Sequence, residues 1–275
     1  MPTPPLGEIG IWLRRTAGTG AVPEIETLGC GALWLGVSPS LPEARPFLEQ
    51  SSTLTVATGI LNVWQHDPAD VAAQHADLQR EFGGRFLLGV GIGHPEATGE
   101  YAKPLTKMRE FFDGLDAADE PVPRDERVAA ALGPKMLDLA AERSRGAHPY
   151  LTPVEHTRFA RERIGPRPLL APEVTVVVEP DAETARRKAR EFAAGYLERS
   201  NYKRNLLRLG FDERDLEGGG SDRLIDAIIP HGSAEEIAQA VRAHLDAGAD
   251  HVCLQPVGHG PAPVDDYRAL AGTLL

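Results

Sequence analysis

Short apolar runs alternate with amphipathic stretches along the whole chain, and this alternation is the first structural signal in the sequence. Several of the apolar runs are almost continuous and lack the polar–apolar alternation of a strand that faces water on one side. Strands of this kind are typical of parallel sheets that helices cover on both faces. Eight runs meet this description, and we predict strands at residues 8–13, 32–36, 53–61, 85–92, 127–133, 146–151, 173–179 and 250–257.

The stretches between these runs carry the start signals of helices. Asp67 and Pro68 stand before an apolar stripe, where they fit an N-cap and a first helical turn. Ser233 and Glu236 have the spacing of a capping box. Because helical segments separate the strands throughout, we predict an α/β fold, a (β/α)8 TIM barrel that forms one domain over residues 1–275. A doubly wound parallel sheet is the alternative, although it rarely needs eight strands.

Two segments fit this alternation less well. We expect short extra helices near residues 95–125 and again near 200–230. Active sites of TIM barrels lie on the loops that follow the carboxyl ends of the strands. The residues directly after each predicted strand are therefore the candidates for chemistry.

Charge and composition exclude several classes of partner. The 275 residues carry a formal net charge of −11, which repels nucleic acid and anionic lipid. No apolar stretch approaches the length of a membrane span, and the N-terminus lacks the pattern of a signal peptide. Cys30 and Cys253 are far apart and lie in apolar surroundings, so we expect buried thiols and no metal site. We predict a cytoplasmic protein that binds small molecules.

Polar groups and glycines collect where the predicted strands end. Those that follow the second and third strands are Gly36, Ser38, Asn62, Trp64, Gln65 and His66. Those that follow the next three strands are Gly91, Gly93, His94, Gly133, Pro134 and His148. The glycines let the backbone approach a flat ligand closely, and Gly133-Pro134 opens a helix whose N-terminus can hold an anion. Together they predict a broad site for a phosphorylated planar cofactor.

Other kinds of site find no support in the sequence. The turn after the fourth strand lacks the GxGxxG spacing of a dinucleotide-binding fold. The chain also lacks an HExxH pair, a P-loop and a recognisable Ser/His/Asp set. We therefore predict a cofactor-dependent reaction, in which His94 is the candidate acid or base.

Several longer segments resemble the bacterial luciferase-like superfamily. They are "GALWLG", "TVATGILNVWQHDP", "GRFLLGVGIGH", "ALGPKMLDLAAERSRGAHPYL" and "HLDAGADHVCLQ". Within that superfamily the chain looks like the actinobacterial branch of F420-dependent oxidoreductases. The resemblance implies a TIM barrel, usually dimeric, with the deazaflavin F420 or a flavin over the carboxyl ends of the strands.

The resemblance also assigns roles to particular residues. It implies a non-proline cis peptide at Gly59-Ile60, behind the cofactor ring. It implies that the turn from Gly91 through Ile92 and Gly93 to His94 lies against the cofactor, and that Gly133 lies at its phosphate. His94 falls where a sugar-phosphate-oxidising relative carries a catalytic glutamate, and we assign Trp64 to the wall of the substrate site. Asp67 remains a helix cap only.

One departure from the superfamily pattern leaves the function open. Relatives that oxidise alcohols often carry an Asp-His pair after the second strand, whereas this chain has Val37 and Ser38. The acidic tail of F420 needs cations, and the best local cluster is Lys203, Arg204 and Arg208. We predict an F420-dependent hydride transfer, with two alternatives: an FMN-dependent monooxygenase, or a barrel that binds a cofactor without turnover.

Overall fold

A ring of parallel strands forms the centre of the molecule. The computed structural model describes residues 4–94 and 101–275. Within them the strands are β1 (Ile9–Arg14), β2 (Ala32–Gly36), β3 (Thr55–Thr58), β4 (Leu61–Asn62), β5 (Phe86–Gly91), β6 (Arg127–Ala129), β7 (Gly146–Ala147), β8 (Leu169–Leu170), β9 (Glu173–Val178), β10 (His231–Gly232) and β11 (Val252–Pro256). The pairing order is β10-β9-β11-β1-β2-β3-β5-β6-β7-β8, and β4 extends the β3 segment along β5.

The ring closes through one continuous segment. β8 pairs with β7, β9 pairs with β11, and only two residues separate β8 from β9. Pro172 has no N–H to donate, so it interrupts the regular ladder at this point. Hydrogen bonds from Ala171 N to the Ala147 carbonyl and from Glu173 N to the Pro149 carbonyl carry the pairing across the interruption. The segment 169–178 therefore acts as one strand, and the eight-stranded barrel predicted from the sequence is confirmed.

Helices cover the outside of the ring. They are α1 (Val22–Thr27), α2 (Leu41–Glu49), α3 (Pro68–Glu81), α4 (Pro104–Ala117), α5 (Pro134–Arg143), α6 (Val154–Ile164), α7 (Ala182–Leu197), α8 (Ser200–Arg208), α9 (Glu213–Leu216), α10 (Asp222–Ile228), α11 (Ala234–Asp246) and α12 (Val264–Leu274). The predicted caps are present: the Asp67 carboxylate accepts from two amides of α3, and Ser233 and Glu236 cap α11 reciprocally.

Burial on both faces explains the apolar runs. Trp12, Trp34, Ala57 and Leu87 occupy one register and fill the inside of the ring. Alternate residues, such as Leu35 in β2, point outward and pack in the larger core beneath the helices. A strand buried on both faces has no polar side to show, which is why strict alternation is absent.

The structure differs from the sequence prediction in two details. The strands predicted at 127–133 and 146–151 end early, because their last residues turn outward as loops at the barrel mouth. The helix predicted within 95–125 is α4, which takes the ordinary place between β5 and β6. The extra helices are thus those at 200–228, between α7 and β10; residues 95–100 lie outside the described part.

The remaining bulk predictions concern cysteines and membranes. Cys30 and Cys253 are both buried and reduced. In the part of the chain that the structure describes, no helix combines the length and the apolar character that a membrane crossing requires.

Candidate active site

A cavity of about 740 Å³ opens at the carboxyl ends of the strands. Its floor and walls come from the ends of β1 and β4 and from the loops that follow β2, β3, β5, β6 and β7. The insertion at 199–208, which contains α8, covers one side. The cavity therefore lies on the side of the barrel where the sequence places the chemistry.

Ten of the thirteen predicted site residues line this cavity. They are Ser38, Gly59, Ile60, Asn62, Ile92, Gly93, His94, Gly133, Pro134 and His148. They come from five separate loops, so the barrel brings together residues that are more than a hundred positions apart in the sequence. The three that do not line the cavity are Gly36, Trp64 and Gly91.

The peptide bond between Gly59 and Ile60 is cis, as the resemblance implied. It lies between β3 and β4, and both residues face the cavity. A side chain on Gly59 would point between two aromatic rings, because a β-carbon there would lie 3.2 Å from Trp12 Nε1 and 3.4 Å from His148 Nε2. The bulge thus exposes backbone to the cavity with two ring nitrogens directly beside it.

Gly36 and Gly91 support the site from behind its surface. A β-carbon on Gly36 would lie 1.6 Å from the Trp12 indole, and one on Gly91 would lie 2.7 Å from the Ile60 side chain. Both glycines are needed for neighbours that line the cavity to reach their positions. The structure thus gives them a packing role in place of the predicted direct contact.

Trp64 lies beside the cavity and does not line it. Its indole N–H donates to the Ile92 carbonyl at 2.9 Å, and its ring centroid is 5.6 Å from that of Tyr101, which does line the cavity. Lys107 extends over the indole face. The predicted contact with substrate is therefore corrected: the local spacing of Trp64 indicated a pocket rim, but its ring packs against the core.

His94 lies at the rim, where the α8 insertion meets the β5 loop. Its Nδ1 is 3.3 Å from the Asn201 amide oxygen, and its ring is 5.6 Å from the Tyr202 ring. Both neighbours line the cavity as well. A proton on Nδ1 can donate to Asn201, which would fix the orientation of the imidazole.

His148 lies at the base of the cavity in a neutral state. Its Nδ1 donates to the Ala171 carbonyl at 2.7 Å, and its ring stacks on Trp34 at 4.1 Å. Burial lowers its pKa to about 4, because the charged form is poorly solvated there. Its Nε2 and the Trp12 Nε1–H are both buried and have no hydrogen-bond partner among the described residues. The site thus has one buried acceptor and one buried donor that a bound ligand could satisfy.

An arc of aromatic rings forms one wall, and sequence reasoning missed most of it. The rings run from His94 through Tyr202, Tyr196 and Tyr150 to Trp12, with successive centroids 5.4–5.7 Å apart. The Tyr150 hydroxyl donates to Gln255 at 2.7 Å and lies 3.2 Å from the Tyr196 hydroxyl. Tyr196 lies in α7 and Tyr202 in α8, and an aromatic residue within a helix is ordinarily a core residue, so only the fold could reveal them.

The charge of the cavity is opposite to that of the chain. Five cationic residues line it: Arg14, Lys135, Arg199, Arg204 and Arg208. Among residues 4–94 and 101–275, no aspartate or glutamate lines it. Of the predicted cation cluster, Arg204 and Arg208 face the cavity, whereas Lys203 does not.

One of these cations, Arg208, lies beside the start of α5. Gly133 is the N-cap residue of α5 and offers no side chain to the first amides of the helix. The Arg208 guanidinium lies 3.9 Å from the position that a Gly133 β-carbon would occupy, and apart from the adjacent residues of the chain no other heavy atom of residues 4–94 and 101–275 is nearer. A helix N-terminus, an open glycine and an arginine together make an anion site. No group of three or more metal-ligating side chains occurs in the described ranges.

Comparison with known proteins agrees with this geometry. Over nearly its whole length the chain is similar in structure to an F420-dependent secondary alcohol dehydrogenase in complex with an F420–acetone adduct, with a TM-score of 0.76, 15% identity and 98% of each chain covered. It is also similar to the F420-dependent tetrahydromethanopterin reductase of Methanopyrus kandleri, with a TM-score of 0.72, 16% identity and 97% of each chain covered. It is similar as well to an FMN complex of the oxygenating constituent of 3,6-diketocamphane monooxygenase from Pseudomonas putida. The TM-score is 0.67 and the identity 15%, with 97% of this chain and 96% of the other covered.

These likenesses establish the barrel, and the sequence establishes the family. A search of curated proteins finds no significant match. Residues 24–251 match the family described as luciferase-like monooxygenase, which is most of the chain. The predicted membership of this superfamily is confirmed, and so is the prediction that the protein is an enzyme. The chain belongs to the luciferase-like monooxygenase family.

Proposed function

We propose that this protein is an F420-dependent oxidoreductase that transfers a hydride between F420 and a small organic substrate. The observation that carries the proposal is the cationic cavity in a chain whose net charge is −11. Placing several cations at one mouth costs energy unless an anionic ligand offsets their repulsion. F420 combines a phosphate with a tail of carboxylates, so it uses more of these cations than a cofactor with one phosphate.

The start of α5 fits the phosphate. The backbone amides of the first turn and the helix dipole favour an anion beside Gly133, and the Arg208 guanidinium can bond to phosphate oxygens in a planar fork. Arg204 lies one turn before Arg208 on α8 and lines the same cavity. It is therefore placed to meet the tail carboxylates that follow the phosphate.

The bulge and the glycine turn fit the deazaflavin ring. Gly59 and Gly93 line the cavity and present backbone without side-chain bulk, as a flat ring requires. The unpartnered Trp12 Nε1–H and His148 Nε2 beside Gly59 suit a ligand that offers both an acceptor and a donor, as the polar edge of this ring does.

When bound, F420 supplies a ring carbon that accepts or releases a hydride. The chain would hold the ring and phosphate, exclude water, and manage the proton that accompanies the hydride. His94 is the candidate for that proton, because it lies at the rim and Asn201 fixes its orientation. Val37 and Ser38 line the cavity where relatives carry an Asp-His pair, so no described carboxylate assists from that loop.

An FMN-dependent monooxygenase is the second candidate. The family name and the similar FMN complex favour it, and a single phosphate also fits the start of α5. The two functions differ in the use of the remaining cations, because FMN has no tail for Arg204 to bind. Oxygen uptake in the presence of reduced FMN and a substrate panel would indicate the monooxygenase.

Binding titrations followed by deazaflavin fluorescence test the proposal. We expect F420 to bind with a dissociation constant in the micromolar range or below, and to bind at least tenfold more tightly than FMN. The riboflavin-level precursor of F420, which lacks the phosphate and tail, should bind more weakly than F420. Arg208→Gln should weaken F420 about tenfold while leaving the precursor unchanged, since charge-assisted bonds to phosphate contribute roughly 1.5–3 kcal/mol.

Arg242→Gln is the matched control, because this exposed arginine lies on α11 and donates only to the Thr273 carbonyl. It should leave all three affinities unchanged. Absence of F420 binding at high protein concentration would refute the proposal, and tighter binding of FMN than of F420 would favour the second candidate. If an activity is found and His94→Ala leaves it intact, the assigned proton transfer is wrong.

A further inference from the structure

Two of the cavity's cations lie away from the start of α5. Arg14 is the last residue of β1, and Arg199 is the N-cap residue of α8. In the closed ring β1 is first and β6, which leads into Gly133, is fifth of eight, so these two loops stand on opposite sides of the mouth. α8 has nine residues, which corresponds to about 13 Å between its two ends.

The Arg199 backbone N–H donates to the Tyr196 carbonyl, but neither guanidinium forms an ion pair or donates a hydrogen bond to any residue within 4–94 or 101–275. Arg199 is half-buried and lies over the Tyr196 ring at 4.8 Å. Burial raises the pKa of the Tyr196 hydroxyl, while the positive charges of Arg199 and Arg14 oppose that rise. Both guanidinium groups are thus within electrostatic range of one phenol that lines the cavity.

The wall beside this pair suits a ring. Tyr196, Tyr150 and Trp12 follow one another along it with centroid separations of 5.4 and 5.7 Å. Aromatic side chains arranged in this way favour offset or edge contacts with a further ring. The Tyr196 hydroxyl, 3.2 Å from that of Tyr150, adds a polar group to this wall.

We propose that Arg14, Arg199 and Tyr196 form a second anion subsite, which binds the carboxylate of a flat, ring-bearing substrate. This assignment rests on the proposed function, which assigns the Gly133 end of the cavity to the cofactor. With the phosphate and tail held at that end, F420 would leave Arg14 and Arg199 to a second ligand. The substrate class is therefore an aromatic or cyclic carboxylate, with its ring against Tyr150 and Trp12 and its charge at the arginine pair.

Calorimetric titration with benzoate, in low salt and without cofactor, tests this subsite. We expect benzoate to bind, and benzamide, its neutral analogue of the same shape, to bind at least tenfold more weakly. Arg199→Gln should weaken benzoate about tenfold, and Arg14→Gln about threefold because Arg14 is exposed. Arg199→Lys, which keeps the charge, should restore most of the affinity.

Arg208→Gln separates the two ends of the cavity. It should leave benzoate affinity within twofold of the wild type, whereas Arg199→Gln should leave the affinity for the F420 precursor unchanged. If Arg208→Gln weakens benzoate as much as Arg199→Gln does, or if benzoate and benzamide bind alike or not at all, the subsite does not exist. Since no cofactor is present, this result is independent of whether F420 proves to be the coenzyme.

Unfolding temperatures of the variants complete the test. The Arg14 guanidinium has no described partner, so Arg14→Gln should not shift the transition, and Arg199→Gln should lower it only slightly because it removes one contact with the Tyr196 ring. A variant that keeps the wild-type transition and loses benzoate supports the subsite. Equal losses of benzoate and benzamide in Arg199→Gln would show a general distortion of the wall and would overturn it.

Discussion

Arginines at the two ends of the barrel have opposite surroundings. At the amino end of the strands, Arg85 donates to the Leu48, Ser51 and Leu54 carbonyls and to the Ser51 hydroxyl. Arg161 donates to the Gly248, Gly165 and Pro168 carbonyls and to Asp250. At the carboxyl end, Arg204 and Arg208 each donate once, to a neighbour on their own helix.

This difference separates a structural role from a binding role. A guanidinium has five donors, so an arginine that uses them on loop carbonyls stabilises those loops. One that leaves most of them without a protein acceptor, inside a cavity without a described carboxylate, is available to a ligand. The comparison predicts that substitutions at the amino end reduce stability and that substitutions at the carboxyl end reduce binding.

Arg161→Ala should have the largest effect. It removes four hydrogen bonds, three of them to partly buried loop carbonyls, so we expect the free energy of unfolding to fall by about 3 kcal/mol. Urea denaturation followed by circular dichroism measures this loss. The folded fraction should still bind F420 with wild-type affinity, and a change in affinity as large as that of Arg208→Gln would remove the distinction between the two ends.

Gly133→Asp should affect binding strongly with little effect on stability. The position is open, since the nearest atom to an added β-carbon is Arg208 Nη2 at 3.9 Å. A carboxylate there would repel the phosphate and neutralise Arg208, so we expect F420 affinity to fall about a hundredfold, or about 2.7 kcal/mol. Gly133→Ala is the matched control and should keep the affinity within a few fold. Equal losses in the two variants would point to backbone strain at the turn.

Arg208→Gln should change stability little in the absence of ligand. Its single described acceptor is Asn205 on the same helix, so we expect the free energy of unfolding to stay within about 0.5 kcal/mol of the wild type. Added F420 should raise the unfolding temperature of the wild type more than that of the variant, because ligand binding adds stability in proportion to its affinity. A lower transition in the unliganded variant would assign Arg208 to the fold.

The last effect concerns pH and the buried histidines. Burial lowers the pKa of His251, near the amino end, and of His148, at the cavity, to about 4. Because the unfolded chain binds a proton near pH 6.5, their stabilising contribution is complete above pH 6.5 and is lost as pH falls toward 4. We expect roughly 1 kcal/mol per histidine for each pH unit below 6.5.

Two substitutions isolate the contribution of the buried histidines to stability, one at a histidine and one at a buried carboxyl group. His251→Gln should flatten the acid side of the stability profile, measured by thermal denaturation between pH 4.5 and 7.5. Burial raises the pKa of Glu173 to about 8, so its contribution has the reverse sign and is lost between pH 4.5 and 8. Glu173→Gln should therefore steepen the net decline toward acid pH. Unchanged profiles in both variants would contradict the assigned protonation states.

The sequence predicts the parts of the site that depend on local signals. Gly59-Ile60, the turn at Gly91–His94 and the helix start at Gly133 follow directly from strand ends, and the barrel then brings them together. Trp64 shows the limit of this approach, because sequence spacing places it at a strand end without revealing which way the ring turns.

The residues missed by the sequence lie in helices or inside strands. Trp12 belongs to a strand buried on both faces, so the pattern does not tell which face meets the cavity. Tyr196 reaches the site because the last turn of α7 lies at the mouth, and Arg14 does so because β1 ends there, opposite β6. These placements depend on contacts between distant segments, which hydrophobic periodicity does not encode.

A crystal structure with F420 bound would show directly whether the cofactor occupies the Gly133 side of the cavity. We expect the phosphate to lie within hydrogen-bond distance of the first amides of α5 and of the Arg208 guanidinium. The ring should lie against Gly59-Ile60, and the tail should extend toward Arg204. Arg14 and Arg199 should have no contact with the cofactor. A phosphate at Arg14 and Arg199, or a ring outside the cavity, would contradict the assignment of the two ends and the function built on it.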